Sequence, residues 1–310
     1  MSSSSEKPFP IGTPGIPWGA PEKAQWRASQ KKLRSYSDEV LSKVKKLESD
    51  FDLIVYGSLD YGADGTYPLV LLKSRNWNDA LPIAMVTGGV HGYETSGVHG
   101  ALLFAERDAK AFAGKANLFI APCVSPWGYE RIHRWNPDAL DPNRSFKADG
   151  GAQEARQLMS FIAPFRGRFL MHVDLHETTD TDETVFRPSL AARDGKHYEP
   201  GEIPDGFYLV DDSKNPQLNF QKAIIAAVER VTHIAPPDAN GCLIGEKILS
   251  RGIIEYAVES LGLCAGLTGA RFTTTTEVYP DSPRATPEQC NEAQAVAVRA
   301  GLEFALANRA

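Results

Sequence analysis

The chain has 310 residues, of which 33 are Lys or Arg and 39 Asp or Glu, giving a net charge of −6, with 42% hydrophobic residues. This balance excludes a disordered or fibrous chain, and an acidic protein lacks the excess of Lys and Arg that nucleic-acid binding needs. A chain of this length buries about three quarters of its unfolded surface, so it needs neither disulfide nor metal merely to stay folded.

Cys123, Cys242, Cys264 and Cys290 lie far apart with no CxxC pair. They are expected as reduced, mostly buried thiols of a cytoplasmic protein. The N-terminus has no apolar stretch with a cleavage site, and no run reaches 18 apolar residues, so neither a secretory signal nor a membrane span is expected.

Residues 1–20 carry four serines and four prolines and read as an extended arm. Residues 21–48 read as one helix, with Pro21 in its first turn and Leu33, Val40, Leu41, Val44 and Leu47 on one face. Segments 52–60 and 67–73 flank Gly62-Ala63-Asp64-Gly65 and predict a hairpin. Segment 81–87 is a short apolar run ending in Gly88-Gly89, as in a buried strand. A helix is predicted over 94–112 and a strand over 116–121.

Residues 122–150 have no period and form a long irregular loop, a feature usually tied to function. Next come a helix at 153–162, a strand at 168–175 and a polar, acidic loop at 177–206. A helix at 219–232, strands at 246–258 and 271–278, and a helix at 287–308 complete the chain. Strands alternating with helices predict an α/β sandwich. No linker divides residues 21–310, so one domain is expected after the arm.

Three segments have the composition of a site. Gly88-Gly89-Val90-His91-Gly92-Tyr93-Glu94 lies between a predicted strand and a predicted helix, where ligands gather in α/β sheets. His91 and Glu94 are three residues apart and share a face of a helical turn, as two ligands of one zinc ion do. A solvated pair favoured by the helix dipole has the same spacing. Met171-His172-Val173-Asp174-Leu175-His176-Glu177 puts His176 at a strand end, where it can supply a third ligand. Asp174 and His172 share its face. Asp174 suits the orienting of a metal ligand, and His172 suits core packing or a satisfied hydrogen bond.

The third segment runs from Arg134 through Asp141-Pro142-Asn143-Arg144-Ser145-Phe146. Arg134 and Arg144, with Asn143 beside the latter, suit a carboxylate, because guanidinium offers a fixed fork of donors. A surface loop with ordinary ion pairs would look similar.

Taken together, HxxE after a Gly-Gly turn, an R-x9-R pair ending in D-x-NR-x-F, and DLH resemble the zinc metallocarboxypeptidase family of carboxypeptidase A type. The resemblance runs from about residue 80 to 280, and the shorter interval between Glu94 and His176 is like that of the compact bacterial form. It implies a three-layer α/β/α sandwich with a mixed central sheet and one zinc ion per chain. It implies His91, Glu94 and His176 as metal ligands; a His₂Glu zinc site is the one known for carboxypeptidase A.

By the same resemblance Arg134 would stabilise the oxyanion. Asn143 and Arg144 would hold the substrate's terminal carboxylate, and Tyr256 would cap the substrate, although its flanks also suit a core strand. Arg271-Phe272-Thr273-Thr274-Thr275-Thr276-Glu277-Val278 would end in the general base, Glu277, in preference to Glu255 or Glu259. No charged residue stands near 262–267, where the family sets its side-chain preference. The acidic run at 177–183 would bias the site toward cations or be a solvated face.

The expected substrate is a peptide with a free C-terminal carboxylate. The rival is an N-acyl amino acid, cleaved by the related succinylglutamate desuccinylases and aspartoacylases with the same site. A binding module that keeps the fold without chemistry is disfavoured, because every expected ligand, the base and the arginines are present. No G-x-S-x-G and no G-x-G-x-x-G turn follows a predicted strand, which argues against a serine hydrolase and a dinucleotide enzyme. The N-terminal helix is left to pack on the catalytic domain or to join two copies into a homo-oligomer.

Overall fold

The computed structural model describes residues 9–309. The first eight residues of the expected arm lie outside that range. Helix α1 is Ala20–Ser29, entered by Pro21 and buried through Trp26. The single helix expected over 21–48 is in fact two helical pieces. After α1 the chain is irregular, then resumes as a wide helical turn over Ser37–Leu41 and α2 over Ser42–Lys46.

The break is imposed from outside. Backbone N–H groups of Leu33 and Arg34 donate to Glu130 O, and Lys32 pairs with the Glu130 carboxylate at 2.7 Å. Leu33, expected on the apolar face, is therefore 64% exposed, while Val40 and Val44 are buried.

Strands β1 (Phe51–Asp60) and β2 (Thr66–Ser74) form the expected hairpin. Then come β3 (Ile83–Gly88), α3 (Thr95–Leu103), β4 (Asn117–Ala121), α4 (Pro126–Arg131), α5 (Gln153–Ile162) and β5 (Phe169–Glu177). The acidic loop expected over 177–206 contains a wide turn at Asp182–Phe186 and α6 (Arg187–Arg193), whose Pro188 sits in the first turn where proline is welcome. Strand β6 (Tyr208–Asp212) is an element the sequence reading did not assign.

Helix α7 is Leu218–Val228. The strand expected over 246–258 shrinks to β9 (Ile253–Tyr256), because Cys242–Leu243 (β7) and Glu246–Lys247 (β8) pair with each other in a separate small hairpin. Strand β10 (Phe272–Val278) and α8 (Pro287–Ala307) complete the chain. Helix α8 starts in a capping box: Thr286 Oγ1 accepts from Gln289 N, and Gln289 Oε1 accepts from Thr286 N.

The eight-stranded sheet runs β1-β2-β4-β3-β5-β10-β6-β9. Its centre, β4 through β10, is parallel, while β1, β2 and β6 bring antiparallel pairings. Alternation sorts the side chains into two cores. Ala84, Val86, Met171, Val173 and Leu175 pack toward α3, α7 and α8. Ile83, Met85, Phe119 and Phe169 pack toward α5 on the other face. The result is an α/β fold with a mixed sheet between helical layers, as expected. No helix among the described residues is long and apolar enough to cross a membrane.

Candidate metal centre and substrate cavity

The parallel strands β3, β5 and β10 end on the same side, and the site is built there. Register alone places two groups: Glu277 of β10 lies beside His176 of β5. Beyond β3, the turn carrying His91 and Glu94 needs glycine twice. Gly89 has φ of 57°, and a Cβ on Gly92 would come within 1.9 Å of Gly128 C. Glu177, at the end of β5, accepts from Ser96 N at 2.6 Å and Thr95 N at 3.1 Å, so it caps α3 and locks the His91 turn against β5. Burial raises the Glu177 carboxyl to about 7 despite those bonds.

His91, Glu94 and His176 are all buried, and their ligating atoms converge. His91 Nδ1 lies 2.7 Å from Glu94 Oε1 and 3.2 Å from His176 Nδ1, which is 2.8 Å from Glu94 Oε2. The outer nitrogens set the tautomers. His176 Nε2 donates to Asp174 Oδ2 at 2.7 Å, and His91 Nε2 lies 3.1 Å from Asp141 Oδ1. Each carboxylate thus holds a proton on the far nitrogen and turns an Nδ1 lone pair inward. Glu94 Oε2 has no well-formed hydrogen bond though it is buried.

Two lone pairs and a carboxylate facing one point repel unless a positive charge sits among them. Tetrahedral ligands about 2.0–2.1 Å from zinc stand about 3.4 Å apart, so these residues fit the ion with a small outward shift. The site is already biased toward positive charge. Burial opposes ionisation of Glu94, yet His176 and His91 bring it to about 2, and burial of His176 is outweighed by Asp174 and Glu94, which raise it.

A second group, His172, Asp174 and Cys264, is equally close-set. Its centre is filled by the Thr87 hydroxyl, which donates to Asp174 Oδ1 at 2.6 Å and lies 2.9 Å from His172 Nε2. It is a hydrogen-bonded support for Asp174.

A cavity of about 240 Å³ opens in front of the metal ligands. His91, Arg134, Asn143, Arg144, Tyr256 and Glu277 all line it; Glu94 and His176 lie behind. Glu277 Oε2 accepts from Thr178 Oγ1 at 3.0 Å, and burial raises the carboxyl to about 8. Arg134 donates Nε to Asp141 Oδ2 at 3.0 Å and Nη1 to Tyr93 Oη at 3.0 Å, and its guanidinium lies 4.2 Å from the Phe186 ring centre. Asn143 Oδ1 accepts from Cys264 N at 2.7 Å, which fixes the amide so that Nδ2 points toward His176. Arg144 is exposed and spends Nη1 on the Asn143 carbonyl. Tyr256 ends β9, three strands along from the His176 strand, and burial raises its phenol to about 12.

Several participants were not singled out from sequence. Asp141 bridges His91 and Arg134. Tyr93 donates to Asp182 at 2.8 Å, so the acidic loop supplies a second carboxylate behind Arg134. Tyr93 sits inside the HxxE motif and Asp141 inside the D-x-NR string, so position in a motif was the available signal. Arg34 is the most remote: it donates to Tyr129 O at 2.6 Å, Thr95 Oγ1 at 2.8 Å and Gly92 O at 2.7 Å, holding the His91 turn from behind.

A mixed sheet thus lies between helices, and two histidines and a glutamate converge beyond the C-terminal ends of its central strands. The particular likenesses are structural. A chain from Shewanella amazonensis assigned as a metallopeptidase superposes with a TM-score of 0.61 at 20% identity, over 85% of this chain and 90% of that one. A metallo-carboxypeptidase from Burkholderia cenocepacia gives 0.59 at 15% identity, over 87% and 68%. A carboxypeptidase A from Helicoverpa armigera gives 0.58 at 14%, over 92% and 78%. These likenesses establish a common fold. No known family pattern and no curated protein matches the chain by sequence.

Proposed function

We propose that the chain is a zinc-dependent metallocarboxypeptidase that removes a C-terminal residue from a peptide or peptide-like substrate. The observation that carries this reading is the meeting of four chemistries at one cavity: a three-ligand metal site, a raised carboxyl, a buried guanidinium and an Asn-Arg pair. His91, Glu94 and His176 would hold the ion, and zinc there would supply Lewis acidity toward water and a carbonyl oxygen.

Glu277, raised toward neutrality and anchored by Thr178, is suited to take a proton from water and pass it to the leaving amine. Arg134 stays charged between Asp141 and Asp182 and would meet negative charge as it develops on the carbonyl oxygen. Asn143 and Arg144 would take the free carboxylate, a role supported by the fixed amide and the exposed fork of donors beside it. Tyr256 would close over the substrate from β9.

The test is Glu277→Gln, with metal content and turnover of C-terminal peptides measured together. About one zinc per chain and a loss of about 10²–10⁴ in kcat are expected. Normal turnover would remove Glu277 as the base. Turnover of N-acyl amino acids in place of peptides would move the reaction to the deacylase class.

A further inference from the structure

Strand β6 brings a further polar group to Glu277. Tyr208, the first residue of β6, lies directly opposite Glu277 of β10 in antiparallel register, while β5 flanks β10 on its other side. Residues directly opposite in such a ladder turn their side chains to the same face. Thr178 follows the end of β5, and its N–H donates to Val278 O at 3.0 Å, which keeps it against β10. Tyr208 and Thr178 therefore come from the two strands on either side of Glu277.

Their hydroxyl oxygens lie 2.7 Å apart, and Thr178 Oγ1 donates to Glu277 Oε2 at 3.0 Å. The direction of the outer bond follows from counting protons. A threonine hydroxyl has one proton, and an ionised carboxylate has none. In the ionised form that a base requires, Glu277 takes the Thr178 proton, so Tyr208 has to be the donor to Thr178. The phenol keeps its proton, because burial first and then the Glu277 carboxylate hold it well above its ordinary 10. Its ring is buried among Val210, Leu243 and Ile254, so the hydroxyl is held at one place.

The two oxygens of Glu277 thus differ. Oε2 is committed to Thr178, whereas Oε1 has no hydrogen-bond partner among the described residues, and the side chain lines the cavity. Resting on the peptidase reading above, we infer that Tyr208 is a positioning residue for Glu277: its hydroxyl commits the single Thr178 proton to Oε2 and leaves Oε1 to take the proton from water. In that step a water O–H bond breaks as the Oε1–H bond forms. The proton then passes to the leaving amine, Glu277 returns to its ionised form, and Tyr208 and Thr178 keep their own protons throughout.

The test is a kinetic cycle on the zinc-loaded protein, with the best-cleaved member of an acetyl-Ala-X series in which X is each common residue in turn. Thr178→Val removes a donor to a charged group and should lower kcat about 10–100-fold. Tyr208→Phe keeps the ring and removes only the outer hydroxyl, which aims and polarises the inner one. It should lower kcat about three- to tenfold, with KM within about twofold of the parent and zinc still at about one per chain. Added to Thr178→Val, the same change should cost less than about twofold more, since the link to Glu277 is already cut. Thr178→Ser, which keeps the hydroxyl, should return kcat to within about threefold of the parent.

An unchanged kcat in Tyr208→Phe, a loss carried by KM or by zinc content, or losses that multiply in the double variant would overturn the inference and leave the peptidase reading intact. An unchanged kcat in Thr178→Val would overturn it as well, so the outcome does not hang on the folding of one variant. Failure of the parent to cleave any peptide of the series would remove the peptidase reading and this inference with it.

Discussion

Two kinds of backbone carry the candidate site. His176 and Glu277 sit on adjacent parallel strands in the middle of the sheet, where ladder register fixes their spacing. Arg134, Asn143 and Arg144 sit on the irregular segment between β4 and α5, where side-chain hydrogen bonds do the fixing: Asp141 to Arg134, Cys264 N to Asn143, and Asn136 Oδ1 to the backbone of Asp138 and Leu140. A strand-borne group loses its own chemistry when it is replaced and disturbs little else. A loop-borne group depends on partners that do no chemistry, so replacing those partners should reach the site at one remove.

The largest effect should come from the strand-borne side. His176→Ala is expected to reduce bound zinc from about one per chain to almost none, measured by metal analysis without added metal, while the circular dichroism of the sheet is kept. If zinc stayed, the three-ligand site would be misplaced. Asp141→Asn tests the loop-borne side. It keeps the shape but weakens the hold on both His91 and Arg134, so a loss of about 10–100-fold in zinc affinity or kcat is expected. An unchanged variant would mean that the loop is held by its backbone alone.

Arg34→Met goes one layer deeper, behind the His91 turn. Loss of three charged hydrogen bonds should cost about 1–3 kcal/mol in a denaturant titration and change kcat far less. The smallest effect concerns His133, which accepts from Trp135 N at 3.1 Å near the start of the loop. Burial lowers it from an ordinary 6.5 to about 4. Its folded pKa lies below its unfolded one, so the unfolded chain takes up the proton first, and the stability it gives is lost as pH falls from about 6.5 toward 4. His133→Gln should therefore lose less stability than the parent between pH 7 and pH 5, read from denaturant midpoints.

The same contrast accounts for what could be read from sequence. The turn of His91 and Glu94 follows an apolar run and His176 ends a predicted strand, which are local signals, whereas Glu277 is reached only through the resemblance of its Thr-rich run. The roles of Asp141, Tyr93 and Asp182 are long-range facts. Tyr93 and Asp182 meet across 89 positions, and Arg34 reaches Tyr129 across 95. No spacing rule spans such distances.

The helix misread over 21–48 fails for the same reason, since its break is made by Glu130. Helix α6 is hidden within the polar, acidic segment because Pro188, a breaker in a helix interior, sits at its start. Strand β6 is a short run whose pairing with β10 and β9 appears only when the sheet is assembled.

The pairing of β3, β5 and β10 also bears on how the chain folds. The two histidines of the metal site are 85 positions apart and meet only when β3 lies against β5. That is a slow, non-local closure whose entropy must be lost before any contact repays it. Before it, His91 and Glu94 would offer a cation only a two-point site; after it, the third ligand would arrive from the strand just docked. The ion would then bind the folded chain far more tightly than the unfolded one, and it would act as a latch on the centre of the sheet, stabilising it in proportion to the logarithm of free metal.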